Sequence, residues 1–439
     1  MPRAGLFSII GIICSALWAP GAFAMDLSFD TAVEMIMKES QDFKKAQANV
    51  NKATASLDAA NANRWFTLSG SATYMNMVDV ERPFHSNGVE LPPALGGLIG
   101  AAGGAKFSVP DNVLIAGVTL SQPIYTFGKI GNAVDAVRSA VKMSESSLDL
   151  TRREARYAAA DIYWTAKMTD GLVDIYQKSL NDAMAAKKKL ASAGRASRAN
   201  LVKIESDIAT KEINLSDAKF NRDTAHRMLK ILAGIDADED LALTDELPSK
   251  FETIESGKLS KNPQWDIYEH QIRMHEKNAR SKRAGNLPTL AATAAYNYVA
   301  IHDDIDVFDG TKTQSAYWGL SLQVPIFDGG LNRANATTEA MNAESARQDL
   351  DKSKKMKTEE YDTAVKRYDH LRGNLASWKN SRDLAQKAYN LSRDRFAAGQ
   401  TSAVELSEVS TALSQIDMAL LNAKYNILMS AESIKKLGE

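Results

Sequence analysis

The chain has 439 residues, a formal net charge of -1 and one cysteine. This charge balance gives no basic excess for nucleic-acid binding, and one cysteine excludes a disulfide framework or a cysteine-built metal site. With 44% apolar and 24% charged residues the chain is not disordered. Its length alone would predict about three domains.

The first 24 residues have the pattern of an export signal. Arg3 precedes an apolar run from Leu6 to Trp18, and Ala22-Phe23-Ala24 forms a small-residue cleavage site. The alternative is an N-terminal membrane anchor, for which the run is short. We expect a signal peptide at 1–24 and a mature chain from Met25. Because no later run has about 20 apolar residues, we expect no transmembrane helix.

Prolines are scarce and unevenly placed. The 11 prolines leave 124–247 and 326–439 without any. Since proline breaks helix interiors, each span can hold a very long helix. We predict long helices at 129–193 and 331–398, which at about 1.5 Å per residue would reach roughly 100 Å.

The mature chain is a tandem duplication. Landmarks recur in the same order at nearly constant offsets: Gly117, Pro123 and Gly128 as Gly319, Pro325 and Gly330, and Gly194 and Leu201 as Gly399 and Leu406. Each half is predicted to run helix, strand, loop, strand, long helix, turn, helix.

These landmarks fix the predicted bounds. The first repeat, 25–234, has a helix at 27–63, strand 65–77, loop 78–112, strand 113–125, long helix 129–193 and helix 197–234. A linker or equatorial segment follows at 235–254. The second repeat, 255–439, has a helix at 255–285, strand 287–300, loop 301–314, strand 315–327, long helix 331–398 and helix 401–437.

The predicted strands alternate apolar residues with small or polar ones, and each is about as long as a tilted transmembrane strand. Four strands cannot close a barrel, and lipid tolerates no open strand edge. Three copies would pool 12. Aromatic residues towards the strand ends fit a membrane girdle, with an ordinary soluble sheet as the alternative; they are Trp65, Phe66, Tyr125, Tyr298, Trp318 and Phe327.

The second long helix has a seam of period seven, Tyr361, Tyr368, Leu375 and Tyr389, with Arg382 as the exception. This period is typical of supercoiled helices packed side by side. The predicted fold class is therefore mainly α with β: a long coiled-coil helical barrel plus four transmembrane strands per chain, pooled into a trimeric 12-stranded β-barrel.

The duplication and its strand-end motif resemble the TolC-like outer-membrane efflux protein family. The matching stretches include Gly319 to Gly330, which contains Pro325-Ile326-Phe327, and Phe396-Ala397-Ala398-Gly399, and the first half repeats them. The first half departs from the family at Glu39-Ser40-Gln41, where Asn-Pro is usual, and at Arg64-Trp65, where Leu-Pro is usual. Neither departure affects the predicted fold.

The resemblance implies a homotrimer in the outer membrane of a Gram-negative bacterium, extending into the periplasm. It implies contact with outer-membrane lipid and a passive channel that exports small molecules or proteins. Partners would be a periplasmic adaptor (membrane fusion) protein and an inner-membrane RND or ABC transporter. The cargo, whether drug, metal or secreted protein, is not indicated. The alternative function is a structural or adhesive trimeric coiled-coil envelope protein without a through-channel.

The resemblance also implies site residues. The turns between helices would form an adaptor-docking tip of Gly194, Arg195, Ser197, Arg198, Gly399, Gln400, Thr401 and Ser402, although a generic helical turn is the alternative. Glu405 and Glu408 share a helix face and would ring the pore entrance. For Glu405 the alternative is a capping box with Ser402, and either glutamate could instead only favour the positive end of the helix dipole.

Two further predictions follow from the resemblance. Phe396 and Thr401 stand where the family has a tyrosine and an arginine that link the closed tip. Arg195 and Arg198, opposite the two glutamates, are our candidates for that link. The barrel-to-helix junctions would lie at Pro123, Gly128, Pro325 and Gly330.

No motif points to catalysis. The six histidines form no HExxH pattern, and the chain has neither a GxSxG elbow nor a phosphate-binding loop. The acidic residues Asp303, Asp304, Asp306 and Asp309 fit a solvated loop better than a cation site. We expect no catalytic residue, no metal, no cofactor and no nucleic-acid partner.

Overall fold

The computed structural model describes residues 25–76, 112–192, 198–254, 257–302 and 311–438. Several predictions lie outside these residues. They are the signal peptide at 1–24, the loop at 78–112 except for its last residue, the four aspartates of the second loop, and the tip residues Gly194, Arg195 and Ser197.

Seven α-helices, one 3-10 helix (Ala284–Asn286) and six strands are described. The helices are α1 (Phe29–Glu39), α2 (Gln41–Ala62), α3 (Lys129–Ser192), α4 (Arg198–Ala233), α5 (Pro263–Arg283), α6 (Leu331–Ala397) and α7 (Ala403–Gly438). The strands are β1 (Met25–Leu27), β2 (Thr67–Asn76), β3 (Asn112–Tyr125), β4 (Leu241–Leu243), β5 (Thr289–His302) and β6 (Thr311–Gln323). None of the helices in the described ranges combines the length and apolar character that a membrane span requires.

Several predicted bounds differ from the structure. The helix predicted at 27–63 is two helices, because Ser40 has an extended ψ of 118° and its hydroxyl accepts from Phe43 N to start the second helix. The helix predicted from 255 begins at Pro263, where Asn262 Oδ1 accepts from Gln264 N at 2.9 Å. The strand predicted to 327 ends at Gln323, two residues before Pro325, which has no N–H to donate.

The predicted loop at 301–314 is too long at both ends. β5 continues to His302 and β6 begins at Thr311. The last pair of the ladder between the two strands is Ile301 with Thr311. The segment predicted as linker 235–254 contains β4, which pairs in parallel with β1.

The described chain forms two compact units. One contains the described parts of 49–146 and 266–351, and it holds a four-stranded antiparallel sheet in the order β2-β3-β5-β6. The register puts Leu120 opposite Leu68, and Val118 opposite both Gly70 and Tyr296, on one face. The other face carries small and polar side chains that include Ser69, Ser71, Thr119, Thr293 and Ser321. The predicted alternation of apolar and polar residues thus holds in the half of the sheet next to the helices, apart from Tyr317, whereas Ile115 and Val299 lie on this second face farther along the strands.

The other unit contains the described parts of 1–48, 147–265 and 352–439. Its largest apolar cluster surrounds Tyr163 of α3, which is fully buried and packs against Phe29 and Trp164 with ring centroids 5.6 and 5.1 Å away. The Tyr163 hydroxyl lies 2.8 Å from Asp245 Oδ2 and 3.0 Å from the Leu27 carbonyl oxygen. This residue therefore ties α3 to β1 and to the segment that follows β4.

The heptad seam of α6 lies in the same unit. Tyr368 and Leu375 belong to one buried cluster, and Tyr389 belongs to another. Arg382, the exception in the pattern, separates the two clusters, and its Nε donates to Asp417 Oδ1 of α7 at 3.0 Å. The polar residue in the seam is therefore satisfied by a partner on the adjacent helix.

Tyr425 makes the stability of this unit sensitive to alkaline pH. Its hydroxyl donates to Asp161 Oδ1 at 2.7 Å, and burial, followed by this hydrogen bond and the charge of Asp161, raises its pKa to about 12. A raised folded-state pKa gives stability that is present below pH 10 and lost as the pH rises towards 12. We predict that Tyr425→Phe flattens the fall of the unfolding midpoint between pH 10 and 12, measured by circular dichroism. An unchanged pH profile would contradict this assignment.

Candidate functional site

The end of α6 forms a tight, fully hydrogen-bonded turn. Gly399 has a φ of +73°. Its N–H donates a hydrogen bond to the carbonyl oxygen of Phe396 at 3.0 Å, and the N–H of Gln400 donates one to the carbonyl oxygen of Arg395 at 2.8 Å. These two bonds make a Schellman motif, in which a left-handed glycine closes the helix. The prediction that glycine supplies this conformation is confirmed for Gly399.

The next helix, α7, is capped by Ser402, whose Oγ accepts from Glu405 N at 3.2 Å. The predicted capping box is only half formed, because the Glu405 carboxylate accepts from the hydroxyl of Thr401. Thr401 thus fixes the orientation of a carboxylate at the first turn of α7. Such a charge is favourable at a helix N-terminus.

Glu405 and Glu408 both lie on the exposed face of α7, while Leu406 and Ser410 are buried on the other side. In the described part of the chain Glu408 makes neither a hydrogen bond nor an ion pair. Each chain therefore presents two adjacent carboxylates to solvent one turn after the tip. This arrangement can attract cations.

The turn is held by a buried cluster drawn from four helices. Its buried members are Ala186, Ile204, Tyr389, Phe396, Ala403, Leu406 and Leu413. Phe396 therefore packs in the core of the tip. In the described ranges Arg198 forms no ion pair with Glu405 or Glu408, so the structure gives the predicted Arg198 link no support.

A polar contact at this end was missed from the sequence. Tyr389 of α6 lies near Asp182 of α3, and burial, followed by the charge of Asp182, raises the pKa of the phenol. A lysine nearby is also satisfied, since Lys187 Nζ lies 2.9 Å from Glu205 Oε1 of α4. Tyr389 was assigned only to the apolar seam, and its sequence position gives no sign of a carboxylate partner.

The two strand-to-helix junctions have the same backbone conformation. Phe127 and Gly128 have φ values of +49° and +85°, and Gly329 and Gly330, 202 residues later, have +65° and +84°. At the end of β3 the register shifts between Pro123 and Tyr125. The duplication is therefore visible in the turn geometry.

Different residues cap the two long helices after these turns. Asp328 Oδ1 accepts from Gly330 N at 2.8 Å and Oδ2 accepts from Asn332 N at 2.9 Å. These bonds, with Asn332 contributing most, lower the pKa of Asp328. In the first half, Thr126 Oγ1 accepts from Ile130 N at 3.4 Å. Residue 328 was not predicted as a site, although an aspartate just before a helix is a recognised cap signal.

Phe127 is a second residue that sequence reasoning missed. A left-handed conformation costs a non-glycine residue about 1–2 kcal/mol, yet its ring is 42% exposed and makes an edge contact with Tyr125 at 4.5 Å. The offset of 202 aligns it with Gly329, which was the available signal.

The role of glycine at the junction can be tested by comparing alanine substitutions at Gly330 and at Gly373, which lies within α6. An added Cβ meets no atom within 4 Å at either Gly330 or Gly373, so only backbone conformation differs. We predict that Gly330→Ala lowers the unfolding free energy by about 1–2 kcal/mol, whereas Gly373→Ala raises it by about 1 kcal/mol. Thermal unfolding at one protein concentration measures both. Equal shifts in the two variants would refute the junction's conformational role.

In the described ranges no group of three or more histidine, cysteine, aspartate or glutamate side chains is placed to hold a metal ion. The candidate site is a capped turn between α6 and α7 with two exposed carboxylates, Glu405 and Glu408.

Comparisons with known proteins agree on a family. The family model described as outer membrane efflux protein matches residues 32–234 and 257–438. The chain is 17% identical over 418 residues to toxin and drug export protein A of Aggregatibacter actinomycetemcomitans, covering 93% of this chain and 85% of that protein.

Solved structures share the fold. The Campylobacter jejuni CmeC outer membrane channel matches with a TM-score of 0.76 and 18% identity, covering 99% of this chain and 93% of that one. The outer membrane protein VceC of Vibrio cholerae matches with a TM-score of 0.73 and 16% identity, covering 93% and 96%. With a family model matched in both of its halves, the chain belongs to the outer membrane efflux protein family.

Proposed function

We propose that the chain is a passive conduit that works as a homotrimer, with its strands pooled into a 12-stranded barrel in the outer membrane. A periplasmic adaptor would dock at the tip, and an inner-membrane RND or ABC transporter would supply the energy. The family is one of export channels of the outer membrane that extend into the periplasm. Its members are channels, not enzymes.

The sheet is the observation that carries the proposal. β2 pairs with β3 and β6 pairs with β5, so in the described chain each edge strand has a partner on one side only. Strand direction alternates from β2 to β6, and β6 of one copy can therefore lie antiparallel to β2 of the next. Three copies close a ring with an even strand number and no free edge.

The alternation of side chains supports a barrel in lipid. The face with Leu68, Val118, Leu120 and Trp318 is apolar, whereas the opposite face is small and polar at positions 67–71 and 117–121. In a closed barrel these would be the lipid face and the lumen. The name of the relative from A. actinomycetemcomitans refers to toxin and drug export, which fits export of small molecules or proteins.

The channel proposal can be tested in the organism that makes the protein. A deletion strain should accumulate more of at least one drug or toxic compound, or lose at least one protein from its secretome. The protein should migrate as a trimer in outer-membrane extracts without heating. A deletion strain unchanged in both uptake and secretome would contradict the export role.

We further propose that Glu405 and Glu408 ring the pore entrance. Three chains would bring six carboxylates around the axis and favour cations there. Glu405→Gln/Glu408→Gln should lower the cation preference several-fold and weaken block by divalent cations in planar bilayers. The control Glu212→Gln/Glu359→Gln removes the same charge from exposed positions on α4 and α6. Unchanged selectivity in the first variant would sink the ring assignment.

The adaptor proposal concerns the tip residues Arg198, Gly399, Gln400, Thr401 and Ser402, with Gly194, Arg195 and Ser197 of the first turn. Support comes from the rigid turn at Gly399 and from the exposed Gln400 beside it. Gln400→Cys should cross-link to an adaptor in whole cells, whereas Lys312→Cys in β6 should not.

A further inference from the structure

The end of the four-stranded sheet that joins the helices carries a group of exposed cations. They are Arg64, Lys129, Arg280, Lys282, Arg283 and Arg333, and together they are called the basic collar. Each lies at the end or the start of a helix, next to a strand end: α2 and β2, β3 and α3, α5 and β5, or β6 and α6.

The strand register brings these positions to one edge of the sheet. Thr67 pairs with Ser121, and Thr289 pairs with Gln323, so the four strand ends are level. Three hydrogen bonds hold the adjoining segments together: Gln122 Nε2 to Arg64 O at 2.9 Å, Ser281 Oγ to Lys129 O at 2.8 Å, and Asn332 Nδ2 to Asn286 Oδ1 at 2.8 Å.

No member of the collar forms an ion pair within the described chain, although Arg64 is one of the charges that lower the pKa of Asp135, after Lys277 and Arg138. In the described ranges no carboxylate lies within 4.0 Å of a charged nitrogen of any of the six. By contrast, two nearby cations outside the collar, Lys277 and Arg138, both form ion pairs with Asp135. Across 60–64, 126–133, 280–288 and 326–334 the only acidic residue is Asp328, and its carboxylate accepts backbone N–H groups of α6.

Exposed apolar side chains lie between the collar and the sheet. Ile326 is 95% exposed, Phe327 88% and Trp65 70%. Along the strands the surface therefore changes from apolar to aromatic and then to basic. Hydrocarbon, interface and phosphate follow one another in this order at a bilayer surface.

We propose that the basic collar binds the phosphate groups of anionic phospholipids in the periplasmic leaflet of the outer membrane. The inference rests on the proposed function, because it requires the sheet to lie in that membrane. The whole chain has a net charge of -1, and the sequence 303–310, between β5 and β6, contains four aspartates and no cation. The positive charge of the collar is therefore a local feature and not a property of the whole chain.

The test compares lipid preference in reconstituted full-length protein. Dibrominated phosphatidylglycerol and dibrominated phosphatidylcholine quench tryptophan fluorescence, and their relative quenching gives a relative binding constant. A basic side chain near an anionic surface favours binding by about fivefold. The wild type should prefer phosphatidylglycerol by about that factor at low salt, and less at high salt.

The variant Lys282→Gln/Arg283→Gln/Arg333→Gln should reduce this preference towards one. Its matched control, Lys188→Gln/Lys203→Gln/Lys219→Gln, removes three exposed, unpaired charges from α3 and α4 within the described chain and should keep it. The charge-preserving variant Lys282→Arg/Arg283→Lys/Arg333→Lys should also keep it, which separates charge from folding.

Two results would contradict the collar proposal alone. In the first, wild-type protein conducts ions but shows no preference for phosphatidylglycerol. In the second, the triple glutamine variant keeps the wild-type preference. Wild type that neither enters vesicles nor conducts would overturn the proposed function, and the collar with it.

Discussion

Val118→Arg is expected to stop assembly in the membrane, whereas Thr119→Arg on the neighbouring position is expected to be tolerated. Both residues lie near the middle of β3, six and seven residues from its start at Asn112. Val118 is on the apolar face, opposite Gly70 and Tyr296. An arginine facing lipid at the bilayer midplane costs about 2–4 kcal/mol per chain.

Thr119 lies on the opposite face, paired with Ser69 and Ala295. Because that face would line an aqueous lumen, its arginine stays hydrated, and three copies should shift the channel's selectivity towards anions. Trimer yield in outer-membrane extracts and reversal potential in bilayers measure the two effects. Equal yields for both variants, or loss of Thr119→Arg alone, would show that the faces are assigned wrongly.

Tyr163→Ala is expected to lower the unfolding free energy more than any other single truncation in the unit that contains the described parts of 1–48, 147–265 and 352–439. The side chain is fully buried beside Phe29 and Trp164, and truncating such a ring costs about 3–5 kcal/mol. The change also removes the hydroxyl that contacts Asp245 and Leu27, and with it the link from α3 to β1 and to the segment after β4.

Tyr163→Phe separates packing from hydrogen bonding. It keeps the ring, and Asp245 Oδ2 still accepts from Phe29 N at 2.6 Å, so the cost should be only about 1 kcal/mol. Thermal unfolding of the two variants, with Trp378→Ala at a 38% exposed ring as control, gives the comparison. If Trp378→Ala lowered the unfolding midpoint as much as Tyr163→Ala, the cluster around Tyr163 would not be the main source of stability.

Periodic features were predictable from the sequence because they repeat over many residues. The absence of proline permitted α3 and α6, alternation identified the strands, and Gly399 with Ser402 identified the turn between α6 and α7. In each case local chemistry and tertiary packing favour the same structure.

Single residues and tertiary partners were not predictable. Ser40 divides a helix whose composition alone favours continuity. Three-residue strands such as β1 and β4 are too short for any period, and they pair with each other across more than two hundred residues of sequence. The partner of Arg382, Asp417, and that of Tyr389, Asp182, lie on other helices, at spacings set by packing.

Single-channel recording of purified wild-type trimers in planar lipid bilayers tests the central claim most directly. We predict discrete, long-lived conductance steps with a preference for cations, since Glu405 and Glu408 are exposed on each chain. Trimers that insert into the bilayer but leave it electrically silent would contradict a through-channel and favour a structural role in the envelope.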